Sequence, residues 1–130
     1  MVDLSSAKGI FKNCFKYFVG KDNITDFAKE NSCHVVISTG CLIKSHFPSS
    51  CFDDFLKVLK PHRLLAITSR EKYLNPETDE GMGYKKKIDE LIYDNVIEPF
   101  YEEKFLKYAG LKEVEGVTEE EARVLLYRKL

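Results

Sequence analysis

The sequence predicts a single α/β domain over residues 1–130, built as a three-layer sandwich around a mostly parallel sheet with an antiparallel last strand. Three observations lead to this fold class. Short β-forming runs alternate with helical stripes, which is typical of helices packed on both faces of a sheet. Two β-like segments close the chain and lie too near each other for a helical crossover. A chain of 130 residues, 44% of them hydrophobic, suits one domain.

The first quarter of the chain predicts two short strand–helix units. Residues 1–4 have the composition of a strand end. Residues 7–14 follow with apolar side chains at the period of a buried helix face. Residues 15–19 are aromatic and β-branched before a glycine, which favours a strand, and residues 24–28 suit one or two helical turns.

The centre of the chain carries the clearest strand and helix patterns. Residues 34–40 are almost purely β-forming and end in glycine, which predicts a strand buried on both faces. Residues 52–59 carry a helical apolar stripe. We expect Ser49 or Ser50 to cap this helix and Pro61 to end it.

The second half continues the alternation and finishes with a hairpin. The predicted elements are a buried strand over residues 63–68, amphipathic helices over residues 84–96 and 101–109, and antiparallel strands over residues 111–118 and 122–128.

The charge and cysteine content favour some classes of partner and cellular compartment over others. Lysine and arginine total 20 against 21 aspartates and glutamates, so the net charge of −1 favours neither nucleic acid nor an anionic membrane as a partner. The four cysteines never form a C-x-x-C pair, which favours buried free thiols in a reducing compartment. No apolar run approaches the roughly 18 residues of a membrane span, and the first residues lack a secretion-signal pattern. We expect a cytoplasmic protein.

Four segments resemble class I S-adenosylmethionine-dependent methyltransferases and occur in that family's order. They are residues 2–5, the strand and Gly-x-Leu turn of residues 35–42, the lysine–proline helix end of residues 55–61 and the tyrosine-basic residues 126–129. Within that class the sequence looks most like the methyltransferase-like protein of the Williams-Beuren region, through the same turn, the tyrosine-basic end and residues 45–48. The resemblance implies a Rossmann-like fold with S-adenosylmethionine as cofactor and an unidentified methyl acceptor as partner.

The resemblance also implies an incomplete sheet at the N-terminus. In the family the sheet has seven strands, and the cofactor lies across the carboxyl ends of the first, second and fourth. Mapped onto that sheet, Met1 falls inside the second strand, so we expect the first strand and its glycine-rich loop to be missing. The strands beside the gap would expose edges, which predicts self-association through them.

Five residues correspond to the family's cofactor positions. Asp3 matches the acidic residue that accepts hydrogen bonds from both ribose hydroxyls, and its alternative role is a helix cap. Asp22 lies where the family often holds a polar residue at the adenine amine, and its alternative role is a turn aspartate. Ser38, Thr39 and Gly40 end the strand that faces the methyl group and sulfonium, although Gly40 can simply make the turn.

His46 is the candidate catalytic residue. It lies in the loop after that strand, where a histidine could take a proton from an acceptor oxygen or nitrogen. Its alternative role is that of an ordinary surface histidine.

Three functions follow from these patterns. The first is S-adenosylmethionine-dependent methyl transfer, which requires alignment more than a dedicated catalytic constellation. The second is a noncatalytic methyltransferase-like remnant that binds a partner or regulates it. The third is an unrelated small α/β binding protein, which would make the hairpin and the Asp3 match coincidental.

Overall fold

The computed structural model of the protein describes residue 4 and residues 7–78, 81–108, 116 and 118–130. Four strands, three α-helices and one short 3-10 helix have both ends within these residues. In chain order they are the 3-10 helix Ile24–Asp26, β1 (Cys33–Thr39), α1 (Cys51–Val58), β2 (Leu59–Arg70), α2 (Glu71–Leu74), α3 (Tyr84–Tyr93), β3 (Ile97–Lys107) and β4 (Glu120–Lys129). None of the described helices has the length and apolar character needed to cross a membrane.

The helix predicted over residues 7–14 is wrong beyond its first turn. Ala7 is helical and Lys8 forms a turn, but no helix continues from Gly9 onward. Gly9 has a φ of 65°, a left-handed conformation that ends a helix. Ile10 and Phe11 are 73% and 54% exposed, so the apolar stripe has no surface to pack against. The periodicity was therefore not sufficient to form a helix here.

The strand predicted over residues 15–19 does not form either. Instead, side chains of this segment contact Phe27, at the end of the 3-10 helix, and Asp54 of α1. Phe15 stacks on Phe27 with ring centroids 4.9 Å apart, and the Tyr17 hydroxyl donates a hydrogen bond to the Asp54 carboxylate. The helical turns expected over residues 24–28 are confirmed by the 3-10 helix, in which the Thr25 N–H donates a hydrogen bond to the side-chain oxygen of Asn23. Residues 1–3 of the expected first strand lie outside the described residues, and Leu4 is helical.

The strand predicted over residues 34–40 is confirmed, but its burial on both faces is wrong. β1 pairs only with β2 among the described strands and so forms an edge of the sheet. Val35 is 50% exposed and Ile37 is 69% exposed, whereas Ser38 on the opposite face is buried. A β-branched run alone does not reveal whether both faces of its strand are covered.

The central helix and the strand after it are confirmed with different ends. α1 ends at Val58, and Pro61 lies inside β2 rather than at the helix terminus. Ser50 occupies the N-cap position, but its side chain makes no capping hydrogen bond. β2 contains the whole of the strand predicted over residues 63–68. α3 confirms the amphipathic helix predicted from Tyr84 and ends at Tyr93.

The helix predicted over residues 101–109 is wrong, because residues 97–107 form β3. β3 pairs with β4 in an antiparallel register that runs from Ile97↔Lys129 to Lys107↔Glu120, with an irregularity between Pro99 and Tyr101. The hydrogen bonds of this long ladder outweigh the local helical pattern. The predicted terminal hairpin therefore exists with β3 as its first strand, and most of residues 111–118 lie outside the described residues.

The sheet is mixed, with strand order β1-β2-β4-β3. β1 and β2 are parallel, while β4 is antiparallel to both β2 and β3. One of the three adjacent pairs is therefore parallel, and the expectation of a mostly parallel sheet is not confirmed. The antiparallel last strand is confirmed. Because β4 is reversed relative to both neighbours, β1, β2 and β3 all point the same way, and their carboxyl ends meet at one edge.

The core lies on one face of this sheet. Leu65 and Ile67 of β2 lie opposite Tyr127 and Leu125 of β4, and all four side chains are buried in one cluster with residues of the three helices. The helices among the described residues therefore cover a single face of the sheet. The sheet and these helices are two of the three layers predicted from the sequence. Burial of these apolar side chains is the main stabilising contribution.

The other side of the sheet, here called the open face, carries a row of apolar side chains across all four strands. Ile37, Ala66, Leu126 and Tyr101 lie side by side in register, and none of them is fully buried. Half of the Tyr101 surface is exposed.

The cysteines are all free, and their burial differs from the expectation. Cys51 is fully buried, whereas Cys14, Cys33 and Cys41 are half-buried. Burial and the nearby Asp54 raise the pKa of the Cys51 thiol to about 12, so this thiol remains protonated.

An ion-pair network fastens α2 to the sheet. The Arg123 guanidinium donates two parallel hydrogen bonds to the Glu71 carboxylate, one of them 2.5 Å long from Nε, and a third of 2.6 Å to Glu102. These hydrogen bonds hold the pKa of Glu71 below its usual value. Bidentate arginine–carboxylate ion pairs are stronger than ordinary surface ion pairs.

We predict that Glu71→Gln lowers the free energy of unfolding at pH 7 by about 1 kcal/mol. A lowered folded-state pKa stabilises the protein above the ordinary glutamate pKa of about 4.3, and this stabilisation disappears as the pH falls through the lowered value. Urea unfolding between pH 7 and pH 3 should therefore show the difference between variant and wild type shrinking in acid. Glu98→Gln, which breaks a more exposed pair with Arg128, is the control and should change stability less. A difference that persists unchanged at pH 3 would contradict the assignment.

Candidate functional site

A cavity of about 320 Å³ lies where the three co-directional strands end. We call it the carboxyl-end cavity. Thr39, Arg70 and Lys107 are the last residues of β1, β2 and β3, and all three line it. The remaining lining residues come from the turn after β1, from the end of β2 and from the hairpin: Gly40, Leu42, Ile43, Thr68, Ser69, Phe105 and Ala122. Crevices at the carboxyl ends of strands are the usual ligand sites of α/β sheets.

The turn after β1 is shaped by Gly40. Its φ of 68° is in the left-handed region that favours glycine. A Cβ added at this position would meet no atom within 4 Å, so conformation rather than crowding accounts for the glycine. The Gly40 N–H donates a 3.1 Å hydrogen bond to the Thr68 hydroxyl oxygen. This bond joins the turn to the end of β2.

Tyr84 binds the loop that follows the Gly40 turn. Its ring is fully buried, and its hydroxyl donates to the carbonyl oxygens of Ile43, at 3.1 Å, and Phe47. Burial raises the pKa of Tyr84 above its usual value. A buried neutral hydroxyl that bonds two loop carbonyls fixes the loop against α3. The sequence indicated Tyr84 only as part of a helical stripe.

Two of the predicted cofactor residues lie in the cavity wall, and a third lies on the opposite, core-facing side of β1. Thr39 and Gly40 line the cavity. Ser38 faces the core with 7% exposure, and its hydroxyl has no hydrogen-bond partner among the described residues. The Ser69 hydroxyl is in the same situation with 5% exposure, and Ser69 does line the cavity.

The other predicted residues lie apart from the cavity lining. The Asp22 carboxylate accepts a 2.8 Å hydrogen bond from the Phe18 N–H and so closes its own turn, which matches its alternative role. His46 is exposed, with Nδ1 3.3 Å from the Lys44 carbonyl oxygen. Asp3 lies outside the described residues.

Several lining residues were not foreseen from the sequence. Arg70 lay outside the strand predicted over residues 63–68, and Phe105 and Lys107 fell in a segment predicted to be helical. Their convergence depends on the β3–β4 register, which places Phe105 opposite Ala122, and on the β2–β4 register, which places Ala122 opposite Arg70. No local pattern in the sequence carries that register.

Comparison with known proteins identifies the fold. No protein-family model matches the sequence, and no curated protein matches it. Among solved structures, a SAM-dependent methyltransferase of Methanosarcina mazei aligns with 99% of this chain and 77% of its own, at 16% identity and a TM-score of 0.61. A SAM-dependent methyltransferase of Thermotoga maritima aligns with 100% of this chain and 69% of its own, at 14% identity and a TM-score of 0.63.

A third structural neighbour has a different chemistry. The [4+2]-cyclase SpnF aligns with 98% of this chain and 61% of its own, at 13% identity and a TM-score of 0.59. At these identities the similarity shows the fold alone. The chain has the Rossmann-like fold of SAM-dependent methyltransferases.

Proposed function

We propose that the chain transfers a methyl group from S-adenosylmethionine to an unidentified acceptor at the carboxyl-end cavity. The observation that carries this proposal is the convergence of Thr39, Arg70 and Lys107, the last residues of three co-directional strands, on one cavity. The methyltransferases of the same fold support it. The closer resemblance to the methyltransferase-like protein of the Williams-Beuren region is part of the same proposal.

The cavity wall suits the methyl-donor end of the cofactor. Gly40 leaves open space beside the strand end, and backbone carbonyls there can orient a positively charged sulfur. Thr39 and Gly40 would hold this end, whereas Asp22 is already bonded within its own turn. The ribose contact proposed for Asp3 concerns a residue outside the described part.

The proposed reaction requires little chemistry from the protein. S-adenosylmethionine, when bound, would supply an electrophilic methyl group for the acceptor's lone pair and would leave as the neutral thioether. Thr39 and Gly40 align the two reactants, and the buried Leu42 keeps water from one side of the cavity. An acceptor atom that is already deprotonated needs no base. A proton-accepting role for His46 stays a prediction.

A noncatalytic partner-binding or regulatory module is the second candidate function. The open face favours it, because Val35 and Ile37 present half or more of their surfaces on β1, an edge strand among the described strands, and Tyr101 is half exposed on β3 at the opposite edge. Self-association through that edge belongs to this proposal as well, since an edge strand offers unpaired backbone groups to a second copy. Cofactor affinity distinguishes the two candidate functions.

We predict that the folded chain binds S-adenosylhomocysteine, the demethylated product, in isothermal titration calorimetry, and that Gly40→Asn weakens binding about tenfold. Asparagine tolerates the left-handed conformation, so the substitution adds a side chain at the cavity wall with little backbone strain. Gly9→Asn is the matched control, because Gly9 also has a positive φ and open space but lies outside the cavity lining. No heat from a sample that circular dichroism shows to be folded would refute the methyl-transfer proposal.

We predict concentration-dependent dimerisation in sedimentation-velocity experiments, reduced by Ile37→Lys. A lysine on an edge strand opposes pairing with another strand. Tyr93→Lys is the control, because Tyr93 is 87% exposed on α3 and belongs to no strand. A wild-type chain that stays monomeric at every concentration, or equal effects of the two variants, would count against pairing through β1.

A further inference from the structure

The carboxyl-end cavity has a cationic side that methyl transfer itself does not explain. Arg70, Ala122 and Phe105 form one row across β2, β4 and β3, on the open face of the sheet. Lys107 lies two residues beyond Phe105 and therefore on the same face. Both cations line the cavity.

Glu120 only partly neutralises these two cations. In the β3–β4 register Glu120 lies opposite Lys107, and its Oε2 is 3.0 Å from Arg70 Nε. That contact lacks hydrogen-bond geometry, and Nε is buried without an acceptor among the described residues. The Lys107 ammonium lies 5.0 Å from the centre of the Tyr108 ring. Arg70, Lys107 and Glu120 together carry two positive charges against one negative charge.

The rest of the cavity is suited to an apolar body. Leu42 and Ala122 are buried, Ile43 is half-buried, and Phe105 exposes 39% of its surface. Aromatic rings pack against flat ligands in offset or edge-on arrangements. A volume of about 320 Å³ is near the lower limit for small-molecule sites, which excludes a macromolecular occupant inside the cavity.

We infer that the methyl acceptor is a small organic anion, a carboxylate or a phosphate monoester, whose charged group binds Arg70 and Lys107 and whose apolar part packs on Phe105. This inference rests on the proposed function. The anionic group would balance the excess positive charge, since arginine and lysine both bind carboxylate and phosphate oxygens through their N–H groups. The acceptor's nucleophilic atom would then extend toward Thr39 and Gly40.

Three aromatic probes test the inference directly. The folded chain is titrated with benzoate, phenyl phosphate and the neutral benzamide, and amide shifts are followed by ¹⁵N NMR. We expect benzoate or phenyl phosphate to bind about tenfold more tightly than benzamide, with shifts at Phe105 and Lys107. The tighter of the two anions identifies the charged group. Equal affinity for benzamide, or no binding of either anion, would overturn the inference.

A matched pair of lysine variants locates the charge. Lys107→Gln should remove most of the preference for the anion, whereas Lys104→Gln should not, because Lys104 lies on the same strand but on the other face. Arg70→Gln should act like Lys107→Gln, with circular dichroism confirming the fold. Equal effects of the two lysine variants would contradict the inference.

Repeating the titration with saturating S-adenosylhomocysteine separates this inference from the proposed function. Binding of the anion alongside the product supports an acceptor subsite, whereas competition assigns Arg70 and Lys107 to the cofactor's own carboxylate and overturns the inference. If the anion binds through Lys107 but S-adenosylhomocysteine never binds, methyl transfer fails and so does the assignment of the anion as an acceptor.

Discussion

The placement of β4 between β2 and β3 is the constraint on which the rest of the structure depends. Its alternate residues Leu125 and Tyr127 lie in the core beneath the helices, and burial raises the pKa of the Tyr127 hydroxyl to about 12. Because β4 is antiparallel to both neighbours, β2 and β3 run in the same direction and end at the same edge as β1. The carboxyl-end cavity follows from that arrangement, since it lies where the three strands stop.

The cavity is held by contacts between segments far apart in the sequence. The Gly40 N–H donates a hydrogen bond to the Thr68 hydroxyl. The Tyr84 hydroxyl bonds the loop that connects Gly40 to α1. The turn is therefore restrained from two sides, by the sheet and by α3. Restraint of this kind suits a reaction in which alignment contributes most of the rate acceleration. The same fold occurs in a [4+2]-cyclase, so the fold alone does not determine the chemistry.

Local pattern predicted the elements whose helical or extended conformation is decided locally. β1, α1 and α3 were foreseen because their periodicity or β-branched composition agrees with the final fold. β3 was misread as a helix, since its state is decided by pairing with residues 120–129, and no feature within residues 97–107 reveals that partner. The N-terminal helix failed for the opposite reason: the periodicity is present, but Gly9 turns the chain and Ile10 stays largely exposed.

The residues of the candidate site likewise fall into those that the sequence could predict and those that it could not. Thr39 and Gly40 could be predicted, because a strand closed by glycine is visible in the sequence and the turn follows directly. Arg70, Phe105 and Lys107 could not, because strand register alone brings them together. The resemblance to methyltransferases pointed to the edge of the sheet where the carboxyl-end cavity lies, whereas the positive charges of Arg70 and Lys107 in that cavity depend on the three-dimensional structure.

The most direct test of the account is a map of where the cofactor product binds. Amide shifts of the ¹⁵N-labelled chain would be recorded as S-adenosylhomocysteine is added. The account predicts that the largest shifts fall at Thr39, Gly40 and Thr68, around the hydrogen bond that joins the turn to β2. Shifts confined to the Asp22 turn or to the row of Ile37, Ala66, Leu126 and Tyr101, or no shifts from a well-dispersed spectrum, would contradict it.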